Sequence, residues 1–178
     1  MLLRSVCLLF SSVLLSAAAT VPRPAPELLI KLVKGGEVRL SSFKGKVTAL
    51  EFILTTCQHC QNSSRHINVI YNQLGARGFT AVGVAVNEMS QMFIQDFKQS
   101  LGLNYMIGYQ HHDAAVEFLQ HSPQTVMMFP QFVLIDRKGT IRYQMSGDDK
   151  QHFENEEKSL REKVLLLLNE GGAAPAKK

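Results

Sequence analysis

The sequence predicts an α/β protein in which helices flank a mixed central sheet. Short, nearly continuous apolar runs alternate with segments of helical apolar spacing, and a last strand hairpin precedes a closing helix. The chain has 178 residues, of which 46% are hydrophobic and 19% charged, which fits one globular domain. Because the net charge of +4 is small and the basic residues are scattered, we expect no nucleic-acid partner.

The first 19 residues have the pattern of an export signal. Arg4 gives a short positive start, an apolar run extends over 5–15, and Ala17 and Ala19 are small enough for a signal peptidase. The run is shorter than the roughly 20 residues of a membrane span. We expect cleavage after Ala19 and a periplasmic or secreted protein, with an uncleaved anchor as the alternative.

A single folded domain is expected at 28–170, between an extended, proline-rich lead-in at 20–27 and a disordered tail at 171–178. It begins with a hairpin extension at 28–40. The sequence Lys34-Gly35-Gly36 is typical of a turn between two short strands.

A buried strand, a helix and a second buried strand follow the hairpin. Residues 47–54 are apolar except for Glu51, as expected of a strand covered on both faces. Residues 79–86 are similar and rich in β-branched side chains. Between them lies an amphipathic helix with the stripe Ile67, Ile70, Tyr71 and Leu74.

The second half of the chain predicts two helices, a short strand, a hairpin and a closing helix. The short strand covers 105–109, Asp113 caps a helix that runs to Gln120, the hairpin spans 132–145 and the last helix spans 149–169. The first of the two helices ends at Gly102 and carries a stripe that we interpret as core: Met89, Phe93, Phe97 and Leu101.

The pair Cys57 and Cys60 carries the clearest chemical signal. It lies where a buried strand gives way to a helix, so Cys57 is at a helix N-terminus, where free backbone N–H groups favour a thiolate. Cys60 lies one turn further on the same face, close enough to bond to Cys57 or to attack a mixed disulfide. A bridge between residues three apart constrains the unfolded chain little, so we expect redox chemistry. Signal cleavage would remove the third cysteine, Cys7.

Other uses of the pair have weaker support. Zinc would need two more ligands at suitable spacing, and haem attachment would need His where Gln61 stands, so no metal or cofactor is expected. A copper-binding or copper-delivery module stays open, as does a peroxiredoxin-like peroxidase in which Cys57 attacks peroxide. The peroxidase usually needs a Thr-x-x-Cys motif that is absent here. We expect His111 and His112 to be surface residues.

Two segments resemble the TlpA/ResA-like thioredoxin family. One runs from Phe43-Lys44-Gly45-Lys46 to Cys57-Gln58-His59-Cys60, and the other is Phe129-Pro130-Gln131 with the strand and Asp-Arg-Lys-Gly turn that follow. The resemblance covers about residues 26–168. It implies a thioredoxin-like fold and an exported or membrane-tethered thiol–disulfide oxidoreductase that acts on protein thiols and disulfides. We expect a monomer.

The resemblance also implies a substrate-binding surface. Pro130 would be a cis-proline that faces the cysteines, and Phe129 would precede it in a loop that offers backbone groups to an extended substrate; a trans-proline in a turn is the alternative. Thr56 replaces the usual tryptophan before the first cysteine and leaves more space above Cys57. Gln58 stands where Gly or Pro is common.

Two further residues are candidates for tuning the pair. Glu51 occupies a position where the thioredoxin pattern often has a buried acid; burial should raise its pKa, and it could take the proton that Cys60 loses. A strand-edge position or a pair with Lys46 is the alternative. His59 would stabilise the thiolate of Cys57 and make the disulfide more oxidising, unless it faces solvent. The family points to reduction, with a membrane electron donor, whereas His59 points to oxidation.

Overall fold

The computed structural model describes residues 20–170. The predicted signal peptide at 1–19 and the predicted tail at 171–178 lie outside the described residues. No helix within 20–170 is long and apolar enough to cross a membrane.

The strands form one mixed sheet, as predicted. In chain order they are β1 (Arg23–Pro24), β2 (Leu29–Lys31), β3 (Glu37–Arg39), β4 (Val47–Ile53), β5 (Phe79–Ala85), β6 (Met106–Tyr109), β7 (Gln131–Ile135) and β8 (Thr140–Met145). Their spatial order is β1-β8-β7-β4-β5-β6-β2-β3. β4, β5 and β6 are parallel, whereas β7 runs antiparallel to β4 and β8 antiparallel to β7.

The N-terminal segments extend this sheet at both edges. The hairpin of β2 and β3 is confirmed, and β2 adds it to the edge strand β6 through the pair Lys31 and Tyr109. The segment before the hairpin contains strand β1, which pairs with β8 at the opposite edge.

The helices lie on both faces of the sheet. They are α1 (Gln58–Leu74), α2 (Ile94–Leu101), α3 (His112–Leu119), α4 (Lys150–Phe153) and α5 (Glu156–Glu170). The predicted cap Asp113 is wrong by two positions, because the residue before α3 is His111 and Asp113 lies inside the first turn.

The helix predicted from the Met and Phe stripe starts later than expected. Met89 has a φ of 53° and a short 3-10 turn, Ser90–Met92, follows it, so α2 begins only at Ile94. Phe97 is buried, but Met89 and Phe93 are 59% and 46% exposed. The prediction of core positions is therefore wrong for Met89 and Phe93, because the stripe does not lie on one helix.

The predicted closing helix at 149–169 is two helices, α4 and α5. The carbonyl of Asn155 accepts a 2.9 Å hydrogen bond from the N–H of Ser159, which is the first turn of α5. Two glutamates in that turn favour a helix start. The sequence after Phe153 therefore contains its own start signal, which the apolar periodicity alone did not reveal.

Alternation along the strands divides the interior into two layers. One layer packs the sheet against α1, α2 and α5, and the other packs it against α3 and the hairpin. In β4 all seven residues are buried; Ala49 and Ile53 face the first layer, and Leu50 and Phe52 face the second. Glu51 lies between Ala49 and Ile53 in the alternation and therefore points into the layer beneath α1.

The sheet topology brings several loops together at one end of the central strands, and below 'edge' means this end of the sheet. The carboxyl ends of the parallel strands β4, β5 and β6 lie there, and so does the start of the antiparallel strand β7. The cysteine pair follows β4, residues 86–93 follow β5, and residues 120–130 precede β7. The loops on both sides of β4 thus flank the cysteines.

Candidate active site

Cys57 is the N-cap of α1. Its backbone is extended, with φ −84° and ψ 121°, and its sulfur accepts a hydrogen bond from the N–H of Cys60 at 3.3 Å. Its carbonyl accepts from the N–H of Gln61 at 3.1 Å. The side chain is half-buried. A sulfur at this position meets the free N–H groups and positive end of the helix, which favour a negative charge.

Cys60 lies in a different environment one turn further along. Its side chain is fully buried and belongs to the core layer beneath α1. Burial raises the pKa of its thiol, and the contact with Cys57 and the charge of Glu51 raise it further, against a backbone hydrogen bond to Leu54 that lowers it. The two sulfurs are unbonded in this structure. A proton acceptor is therefore needed before Cys60 can act as a nucleophile.

Glu51 provides a buried carboxylate beneath α1. It is 0% exposed and lies in the middle of the sheet, paired with Gly83 of β5 and Phe132 of β7. The glycine makes room for it, because a Cβ at position 83 would lie 3.3 Å from Oε1. Glu51 therefore lies neither at a strand edge nor in a pair with Lys46, which were the two alternatives.

Two hydroxyl groups donate hydrogen bonds to this carboxylate. The Ser64 hydroxyl lies 3.0 Å from Oε1 and 3.3 Å from Oε2, and the Tyr105 hydroxyl donates to Oε1. Burial raises the pKa of Glu51 to about 8, although both hydroxyls lower it, while the charge of Glu156 raises it. Because Ser64 is four residues after Cys60 on the same face of α1, the carboxylate sits one helical turn from the Cys60 thiol.

The loop ahead of β7 lies beside the cysteines. The Phe129–Pro130 peptide bond is cis, as the resemblance implied. The N–H of Gly147 donates to the Met128 carbonyl at 3.3 Å, and a Cβ at Gly147 would lie 2.6 Å from the Phe129 carbonyl. The amide of Gln131 also donates to the Met128 carbonyl, at 2.5 Å. The backbone ahead of Pro130 is thus held in place from two sides.

The remaining predicted site residues lie at the surface of this edge. Thr56 and His59 are exposed, so the orientation of His59 fits the solvent-facing alternative. His111 and His112 are also exposed, and the ring of His112 lies 6.1 Å from that of Phe129. Within residues 20–170, no three His, Cys, Asp or Glu side chains are grouped to hold a metal ion, so the copper alternative lacks a donor set there.

Three contributors to the site were missed from the sequence. The sequence predicts Tyr105 only as the start of a strand and Ser64 only as part of a helix. The spacing of four between Cys60 and Ser64 was a usable signal, because it places both on one helix face. Asn87, after β5, accepts hydrogen bonds from Thr55 at 2.9 Å (N–H) and 3.3 Å (hydroxyl) and so ties the loop before Cys57 to its neighbour.

Exposed apolar side chains flank the cysteines on both sides. Nine large hydrophobic residues within 20–170 are exposed, and five of them lie in the loops after β5 and before β7. These five are Met89, Met92, Phe93, Val126 and Met128. Such a concentration at one edge is typical of a binding surface rather than of scattered surface variation.

The sequence is similar to those of known proteins. A family model described as the AhpC/TSA family matches residues 21–144. The thiol-disulfide oxidoreductase ResA of Geobacillus kaustophilus is 27% identical over 143 residues, which cover 78% of this chain and 79% of that protein.

Two solved structures share the fold. A thiol:disulfide interchange protein of the thioredoxin family from Chlorobium tepidum superimposes with a TM-score of 0.68 at 23% identity, over 85% of this chain and 99% of that one. A thiol:disulfide interchange protein from Bacteroides sp. gives a TM-score of 0.68 at 22% identity, over 89% and 95%.

The fold and these relatives define a thiol–disulfide oxidoreductase of the thioredoxin fold. The chain belongs to the AhpC/TSA family, and the resemblance to its TlpA/ResA-like members is confirmed.

Proposed function

We propose that this protein exchanges two electrons with the thiols and disulfides of other proteins through a mixed disulfide on Cys57. The observation that carries the proposal is the contrast between the two sulfurs: Cys57 is accessible at a helix N-terminus, and Cys60 is buried within one turn of a carboxylate.

The reductive direction runs in two steps. The thiolate of Cys57 attacks a substrate disulfide, a bond forms between Cys57 and one substrate sulfur, and the other substrate sulfur leaves as a thiolate. Cys60 then gives its proton to Glu51, and its thiolate attacks the Cys57 sulfur. The Cys57–Cys60 disulfide forms, the second substrate thiolate leaves, and two electrons have passed to the substrate. Oxidation of a substrate is the same sequence in reverse.

The substrate is an extended segment of another protein, bound next to Pro130. The fixed backbone ahead of this proline and the space above Cys57, where Thr56 leaves room, suit a polypeptide with main-chain groups to pair. Exposed methionines on both sides of the cysteines suit apolar side chains of varied shape, because the thioether chain adapts its conformation.

Export is also part of the proposal, because residues 1–19 have the composition of a cleavable signal. In an exported protein the reductive direction needs a membrane protein to supply electrons. The equilibrium of the pair with glutathione distinguishes the two directions. A potential of about −270 mV indicates a reductant, and a potential of about −120 mV indicates an oxidant.

The direct test uses Cys60→Ser in the full chain. Without the resolving sulfur, the variant should accumulate a covalent adduct with a disulfide-bearing substrate such as insulin, which dithiothreitol releases. Cys57→Ser is the matched control and should form no adduct. If Cys60→Ser instead turned over insulin like the unchanged protein, the assignment of the resolving sulfur would be wrong.

A further inference from the structure

We propose that Tyr105 and Ser64 are positioning residues that hold the carboxylate of Glu51 so that its Oε2 atom receives the Cys60 proton. This inference rests on the proposed function and adds two residues to it.

The hydrogen bonds to Glu51 are unequal. Oε1 accepts from the Tyr105 hydroxyl and from the Ser64 hydroxyl at 3.0 Å, whereas Oε2 has only the longer contact to Ser64 at 3.3 Å. An ionised carboxylate oxygen has about two lone-pair sites. Oε1 is therefore fully used, and Oε2 keeps the capacity to bind a proton.

The two donors are rigidly placed. Tyr105 is 1% exposed, and the ammonium group of Lys98 donates to its backbone carbonyl at 2.7 Å. Burial and the charge of Glu51 raise the pKa of the Tyr105 phenol well above its ordinary value, so this hydroxyl keeps its proton and acts only as a donor. Ser64 is fully buried on the helix face that also carries Cys60.

Few titratable groups face this carboxylate from the elements packed around it. Cys57 and Cys60 belong to the start of α1, Tyr105 precedes β6, and Glu156 comes from α5, where it accepts a 2.7 Å contact from the Nδ1 atom of His66. The neighbouring strands β5 and β7 present Gly83 and Phe132, which do not titrate.

The chemical consequence follows from the direction of each contribution. Hydrogen bonds to the charged form of an acid favour that form, so Tyr105 and Ser64 offset part of the desolvation that keeps Glu51 protonated. They raise the fraction of carboxylate that can accept the Cys60 proton at neutral pH. Loss of either hydroxyl should therefore slow the Cys60 step at neutral pH and leave it intact at higher pH.

The experiment measures the release of the substrate thiol from a preformed mixed disulfide on Cys57, as a function of pH. Tyr105→Phe should move the midpoint of this profile up by about one pH unit, which corresponds to about tenfold slower release at pH 7. Ser64→Ala should move it in the same direction. Infrared or ¹³C NMR titration of the Glu51 carboxyl group should move with the rates.

The chain provides a matched control for each variant. Tyr71 contacts the Tyr105 ring with centroids 6.1 Å apart and makes no hydrogen bond to Glu51, so Tyr71→Phe should leave the midpoint unchanged. Ser63 is buried beside Ser64, and its hydroxyl has no partner among the described residues, so Ser63→Ala should also leave it unchanged. Equal shifts in the controls would overturn the positioning role.

The outcomes separate this inference from the proposed function. Glu51→Gln should remove the pH dependence assigned to the carboxylate. If it does, while Tyr105→Phe and Ser64→Ala leave the wild-type midpoint in place, the positioning role is wrong and the function of Glu51 stands. If Glu51→Gln leaves rate and profile unchanged, both are wrong.

Discussion

Two regions only one helical turn apart give the sulfur atoms of Cys57 and Cys60 opposite environments. At the exposed edge, Cys57 lies at the start of α1 among polar, exposed neighbours and accepts a backbone N–H. In the layer beneath, Cys60 is fully buried and burial raises the pKa of its thiol. One sulfur therefore meets a backbone N–H at the start of a helix, and the other is kept as a thiol in the interior.

In the proposed function, this difference assigns the two roles. The accessible sulfur of Cys57 attacks an incoming disulfide, whereas the buried sulfur of Cys60 has no access to it. In that proposal the interior sulfur becomes reactive only when its proton leaves, and Glu51, which is buried in the same layer, accepts the proton. The second nucleophile would then act only after a mixed disulfide has formed next to it.

The largest effect is expected when the half-buried sulfur of Cys57 is removed. Cys57→Ser should reduce insulin-reduction turnover by more than about 10³-fold, because no other group of the edge can form the mixed disulfide. Turnover is followed by insulin turbidity at fixed dithiothreitol. A residual rate of one tenth or more of wild type would show that Cys60 can attack a substrate by itself, which contradicts the different roles of the two sulfurs.

Glu51→Gln tests the interior region and should have two opposite consequences. Resolution by Cys60 should slow about 10²-fold near neutral pH, as expected from loss of a proton acceptor. The fold should become more stable. The pKa of Glu51 is about 8 in the fold against 4.5 for the free group, so the wild-type protein loses stability as the pH rises from about 4.5 to 8.

The glutamine variant lacks that titration and should gain on the order of 3 kcal/mol at pH 7. Urea unfolding at pH 5 and pH 8 measures this directly. The difference between variant and wild type should grow with pH. A difference that stays constant would mean that Glu51 is ionised in the folded protein.

A second buried group provides the opposite pH slope. His152 is 3% exposed and packs edge-on against Phe132 and Phe153, with ring centroids 5.9 and 4.8 Å apart. Burial lowers its pKa to about 4, with the charge of Lys163 contributing. Because the unfolded chain binds this proton near pH 6.5, stability should fall as the pH drops from about 6.5 to 4.

His152→Leu should flatten this acid limb of the stability curve and leave the limb above pH 7 unchanged, which urea midpoints between pH 4 and pH 8 would reveal. Glu51→Gln should instead remove the loss of stability between about pH 4.5 and 8, so the effects of the two variants overlap between pH 4.5 and 6.5, where they have opposite signs. In the double variant the two effects should add at every pH, and a departure from additivity would show that the two groups do not titrate independently.

The smallest effect is expected from His59. Its side chain is exposed, so solvent screens its interaction with a thiolate on Cys57. His59→Ala should lower the potential of the pair by less than about 30 mV, a change of less than tenfold in the glutathione equilibrium constant. A larger decrease would show that His59 controls the redox direction despite its exposure.

The sequence revealed the parts of the site that depend on local pattern. A lone acid in an apolar run located Glu51 on a buried strand, and the junction of strand and helix placed Cys57 at a helix N-terminus. Tyr105 could not be assigned in this way, because its contact with Glu51 joins residues 54 apart in the chain. The spacing of Ser64 from Cys60 indicates a shared helix face, but not that this face meets Glu51, 13 residues earlier.

In the loop after β5, by contrast, a local pattern was present but predicted the wrong structure. The i+4 spacing of Met89, Phe93 and Phe97 is typical of a buried helix face, but the left-handed backbone at Met89 breaks the helix before Ile94. Apolar periodicity cannot distinguish side chains that pack into the core from side chains that serve a binding surface, because both are apolar.

The most direct test of the contrast between the two sulfurs is their alkylation in the reduced native protein. Iodoacetamide is added at pH 7, and the modified residue is identified by mass spectrometry, with a denatured sample and a cysteine peptide as references. Cys57 should react faster than the peptide and Cys60 far more slowly, and denaturation should remove the difference. If Cys57 reacted no faster than the peptide, or Cys60 reacted first, the account would be contradicted.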